Sequence, residues 1–140
     1  MTDLATAPEG AMVGSITADR ITRHMLALYC GASGDHNPIH VDIDFAKSAG
    51  MPDVFAHGML SMAFLGRLLT DLAPQSVLRS FGTRFATITH LGAEITCTAK
   101  LVERFVADDE RRVRLELVAS DQSGDVKLLG EAVLALQDQE

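Results

Sequence analysis

Between Gly58 and Leu72 the apolar residues Met59, Leu60, Met62, Ala63, Phe64, Leu65, Leu68 and Leu69 fall on almost every face of a helix. A helix with so little polar surface must be surrounded by other structure, so the remainder of the chain has to supply walls. Four runs rich in Val, Leu, Ile and Thr follow it, at 77–89, 93–105, 111–120 and 126–136. They are separated by Gly92, by Ala107-Asp108-Asp109-Glu110 and by Asp121-Gln122-Ser123-Gly124-Asp125. Alternation is clearest where Val113, Leu115 and Leu117 share one face and Arg112, Arg114 and Glu116 the other. Turns this short join antiparallel neighbours, because parallel strands need long crossovers. The expected class is therefore α+β: a helix-rich half, then an antiparallel sheet enclosing the apolar helix.

Upstream, residues 1–12 show little pattern and are expected to form a flexible N-terminal arm ahead of a single domain over 13–140. A first strand is expected at 15–21. Thr22 is a natural N-cap for a short helix at 23–31, in which Met25, Leu28 and Tyr29 share a face and Gly31 ends the run. Residues 32–52, with Gly34, Asp35, Asn37, Pro38, Gly50 and Pro52, should be largely loop, with one or two helical turns at 44–49.

Hydrophobic residues make up 47% of the 140 and charged ones 22%, shares that exclude a disordered or fibrous chain. His57 and Arg67 interrupt the longest apolar stretch, so no membrane span is expected. The first ten residues lack an export signal, and a cytoplasmic home is the simplest expectation. Cys30 and Cys97 are too few for a disulfide framework and read as small buried hydrophobes. Twelve basic residues against nineteen acidic give a net charge of −7, which argues against nucleic acid as a partner.

The chemistry concentrates in Tyr29-Cys-Gly-Ala-Ser-Gly-Asp35-His36-Asn37-Pro38-Ile39-His40 and Ala56-His57-Gly58-Met59-Leu60. Pro38 disfavours helical geometry at Asn37, and Gly34 and Asn37 accept turn conformations, so the loop can bend Asp35 and His40 towards one point. A carboxylate and an imidazole on one water can serve as base and acid in a single cycle. Gly58 opens the apolar helix, and its N–H, aided by the helix dipole, is placed to bind an anionic oxygen. His57 either contacts a substrate or fixes the helix entrance. His36 and His40 are four apart, yet Pro38 between them breaks a regular helical pair and no third His or Cys supports it, so no metal is expected.

The segment Ser33-Gly-Asp-His-Asn-Pro-Ile-His-Val-Asp with the downstream Ala-His-Gly-Met-Leu resembles the signature of the MaoC-like (R)-specific enoyl-CoA hydratases and (3R)-hydroxyacyl thioester dehydratases. The resemblance implies the hot-dog fold, an antiparallel sheet around a long central helix. It implies a cofactor-free hydro-lyase in which Asp35 and His40 activate the water added to a trans-2-enoyl thioester. Asn37 would hold the loop, and Gly58 the thioester carbonyl oxygen, with His57 beside it. The acyl carrier would be coenzyme A or acyl carrier protein, and the partner a second copy or a related hot-dog subunit. Two features depart from the family pattern: Arg84-Phe85 leads into Ile88-Thr-His-Leu-Gly-Ala93 rather than a Pro-rich turn, and Gly66 stands where some members carry a serine on the helix. Two other readings stay open, a non-catalytic or partner-dependent subunit of a heteromeric dehydratase and a hot-dog thioesterase. Thioesterases usually place an acid on the long helix, and 58–69 contain none.

Overall fold

The computed structural model describes residues 3–136. Strand β1 (Met12–Thr17) leads into helix α1 (Arg23–Ser33), a 3-10 turn (Pro38–His40) and the short helix α2 (Ile43–Ser48). Helix α3 (Gly58–Leu72) and a 3-10 turn (Gln75–Val77) come before strands β2 (Leu78–Phe85), β3 (Thr96–Ala107), β4 (Glu110–Ser120) and β5 (Val126–Ala135). The strands form one antiparallel sheet in the order β1-β3-β4-β5-β2, and α3 packs across one face of it. This is the hot-dog arrangement that the resemblance implied.

The period-2 pattern explains which sheet face is wet. In β4, Val113, Leu115, Leu117 and Ala119 are fully buried under α3, whereas Arg114 on the opposite face pairs with Glu103 and Glu131 on the neighbouring strands. From α3, Leu60, Leu65, Leu68 and Leu69 join this core. Each buried Leu side chain contributes roughly 1.5–3 kcal/mol, so this seam is the main source of stability. The helix is nevertheless not enclosed all round. Gly58, Met59, Ala63 and Arg67 line an exposed stripe, and Met59 is 53% exposed. Counting apolar residues overstated the enclosure because Met, Ala and Gly are apolar without being obliged to find a partner. No helix among the described residues is long and apolar enough to cross a membrane.

Several boundaries differ from the expectations. The first strand runs over 12–17 rather than 15–21, because its register with β3 ends at Thr17↔Thr96. Ala18 and Ile21 still donate to the Ile95 and Ala93 carbonyls, but outside the regular ladder. Thr22 caps α1 through its hydroxyl, as expected. Gly31 does not end the helix. The stop is Gly34, whose φ of 76° supplies the left-handed turn and whose N–H bonds to the Cys30 carbonyl.

The expected arm is not loose over its described part. Leu4 and Ala7 are buried, Arg104 donates to both their carbonyls, and Gly10 N–H bonds to the Leu101 carbonyl at 2.7 Å. A chain end with little pattern does not reveal that Arg104 of β3 collects the Leu4 and Ala7 carbonyls. Residues 1–2 of the arm lie outside the described residues, as do 137–140 of the domain.

Candidate functional site

The site is built where the α1 end, the 3-10 turn and the α3 start converge. Past Gly34, the Asp35 N–H donates to the Ser33 hydroxyl (3.1 Å), and the Asp35 Oδ1 accepts from the Asn37 N–H (3.2 Å). Asn37 in turn caps the 3-10 turn, its Oδ1 accepting from the Ile39 N–H at 3.1 Å. Pro38 occupies the first position of that turn, where a missing N–H costs nothing. This chain of short-range bonds folds the loop back on itself and leaves Asp35 Oδ2 without a hydrogen bond among the described residues.

His40, 8% exposed, places Nδ1 2.7 Å from the Phe55 carbonyl oxygen. A carbonyl only accepts, so Nδ1 carries the hydrogen, and in the neutral ring Nε2 is left with a free lone pair. The Phe55 ring meets the imidazole edge to face, with centroids 5.2 Å apart. A carboxylate oxygen of Asp35 and ring nitrogens of His40 and His57 all lie within 4.8 Å of one another.

His57 is 2% exposed and caps α3 by position only, with no side-chain bond to the helix. Its Nε2 lies 3.2 Å from the Asp35 carbonyl oxygen and 3.4 Å from the Cys30 sulfur. Nε2 therefore carries its hydrogen towards Asp35, and Nδ1 is buried without a partner among the described residues. Its ring stacks on that of His40, and the Tyr29 ring packs against it edge to face at 4.8 Å. Burial pushes the His57 imidazole below its ordinary value and the neighbouring His40 adds to this; the Asp35 carbonyl and carboxylate pull the other way. Burial, followed by the Asp35 charge, raises the Tyr29 phenol.

One nitrogen of each ring is engaged with a backbone carbonyl, which fixes the ring orientation and leaves its other nitrogen open.

A cavity of about 370 Å³ adjoins it, walled by Phe55, Gly58, Ser61, Phe85, Ile88 and Leu128. Gly58 makes room for the Phe85 side chain of β2: a Cβ there would stand 2.7 Å from Cδ1 and Cε1 of that ring. Ile88 belongs to the stretch that departs from the family pattern, and with Phe85 it lines the cavity. At Gly66 a Cβ would meet the Phe81 ring at 3.6 Å, an ordinary contact. Of the expected site residues, Asp35, Asn37, His40 and His57 come together, and Gly58 stands at the cavity edge. The contacts of Phe55, which holds the His40 tautomer, and of Cys30 with His57 left no signal in the sequence, because each depends on a neighbour distant along the chain.

The model of the MaoC-like domain matches residues 5–122. The chain belongs to the MaoC-like domain family. Among relatives of this MaoC-like chain, enoyl-CoA hydratase ChsH3 of Mycobacterium tuberculosis is 30% identical over 107 residues, covering 74% of this chain and 35% of that protein. The 3-hydroxyacyl-thioester dehydratase Z of M. tuberculosis is 31% identical over 106 residues, 71% of this chain and 70% of its own. The solved R-hydratase PhaJ1 from Pseudomonas aeruginosa in the unliganded form superposes with a TM-score of 0.79 at 26% identity, covering 97% of this chain and 90% of that one. The chain thus spans about a third of the first of these relatives and most of the other two.

Proposed function

We propose that this MaoC-like chain is a hydro-lyase, reversibly adding water across the double bond of a trans-2-enoyl thioester to give the (R)-3-hydroxyacyl thioester. The observation that carries this reading is the convergence of the Asp35 carboxylate with a His40 ring whose tautomer is held by Phe55, beside a cavity of substrate size. The names of the relatives, hydratases and dehydratases of acyl thioesters, support the same chemistry.

In the hydration direction a water sits between Asp35 and His40 Nε2. The imidazole takes one proton while the carboxylate orients the water and offsets the charge gained by the ring. The water oxygen bonds to C3, and the C2=C3 electron pair moves to make an enolate whose oxygen lies at the Gly58 N–H and the α3 dipole. The imidazolium then returns its proton to C2, so the elements of one water have been added. Asn37 keeps the loop bent, and His57 ties the Asp35 backbone to the start of α3. No step needs a cofactor.

Coenzyme A and acyl carrier protein both remain as carriers, and the cytoplasm as the setting. The exposed Met59, Phe85 and Ile88, at 53%, 52% and 43%, support pairing with a second copy or a related hot-dog subunit across this edge. The same exposure favours the second reading, in which activity needs a partner chain. Adding a short enoyl-CoA to the pure protein should remove the conjugated absorbance without releasing free thiol. Loss of absorbance only after a related subunit is added would favour the second reading, and thiol release would replace both with a thioesterase.

A further inference from the structure

Ser61 is 1% exposed, and its hydroxyl has no hydrogen-bond partner among the described residues. A serine inside a helix commonly bonds back to the carbonyl four residues earlier. Here the Ser61 hydroxyl makes no such bond. Buried hydroxyls are almost always paired, so an orphan needs an explanation. Two placements supply one. Ser61 lies in the wall of the cavity, among the apolar Phe85, Ile88 and Leu128. It is also three residues on from Gly58, which puts both on the same helix face and in the same wall.

We propose that the Ser61 hydroxyl is a substrate-binding donor. It donates to the thioester carbonyl oxygen alongside the Gly58 N–H, so that the first turn of α3 presents two donors rather than one to the oxygen on which charge develops. The orphaned hydroxyl is then a group held ready for a ligand. The inference rests on the enoyl thioester reading of the site.

The test uses butyryl-CoA, a saturated thioester that binds but cannot be hydrated. Binding is measured by calorimetry, and the carbonyl stretch of the bound thioester by difference infrared spectroscopy. Ser61→Ala should weaken binding roughly tenfold and move the stretch back towards the unbound value. It should also lower kcat on a short enoyl-CoA by on the order of a hundredfold. Ser61→Cys keeps nearly the same volume with a much poorer donor and should lose as much. A purely structural serine would change the melting temperature and leave the stretch alone. Unchanged affinity and stretch in either folded variant overturn the proposal, as does failure of the native protein to bind butyryl-CoA. Native protein that binds with a Ser61-dependent stretch but hydrates no enoyl-CoA would uphold Ser61 and overturn the hydration reading instead.

Discussion

The imidazoles of His57 and His40 stack with centroids 3.8 Å apart and planes inclined by 24°. One ring faces Phe55 and the other faces Asp35, each through a single nitrogen, so the pair clamps the loop of α1 against the start of α3. A second positive charge has no place in this stack, since His57 is buried and the His40 ring lies against it.

This predicts how stability depends on pH. Burial depresses the His57 value in the folded state relative to the unfolded 6.5. Below 6.5 the unfolded chain then takes up a proton that the folded one refuses. His57 thus contributes stability that is fully present above 6.5 and is lost as pH falls through the lower folded value. Melting temperatures between pH 5 and 8 should fall on the acid side, and His57→Gln should flatten that limb. An equally steep acid limb in the variant would assign the effect elsewhere.

Asp35→Asn and His40→Ala should each lower kcat by about 10²–10⁴ on a short enoyl-CoA. The double variant should lose little more than the worse single one, because both groups act on one water. Steady-state kinetics on the three variants decide this, and losses that multiply would mean the two residues act in separate steps.

Gly58→Ala should drive the new methyl into the Phe85 ring, which must swing away from its 2.7 Å approach. The expected outcome is a raised KM and a lowered kcat at nearly native melting temperature, since Phe85 is half exposed. Combining Gly58→Ala with Phe85→Leu should recover part of the loss. Kinetics of the single and paired variants check it, and a Gly58→Ala enzyme of native activity would remove Gly58 from the site.

Leu4→Ala should destabilise the fold by about 2 kcal/mol, because Leu4 is buried and its carbonyl is held by Arg104. Urea unfolding measures this directly. A loss of less than a few tenths would mean that the N-terminal segment contributes nothing to the core.

Much of the fold was legible because it depends on local pattern. Helix α3 begins and ends where the apolar run and Gly58 place it, and the alternation at 112–118 identifies the buried face of β4. The acid, the histidine and the bend between them were equally visible, since Gly34, Asn37 and Pro38 shape the backbone within a few residues of where they stand. What the sequence left open was set by partners far along the chain. Whether Gly31 or Gly34 stops α1 depends on which residue takes the left-handed φ, and whether 3–11 is loose depends on Arg104, about a hundred residues away.

The amino-acid sequence by itself determined that this chain is an apolar helix against an antiparallel sheet, with one carboxylate and one imidazole on a bent loop. Only the tertiary structure decided which nitrogen of His40 is free, that His57 stacks behind it, and that Ser61 is left without a partner in the cavity wall. Those facts are distances between residues 15 to 22 positions apart, or the absence of a partner anywhere nearby, and helical or strand periodicity carries no record of either.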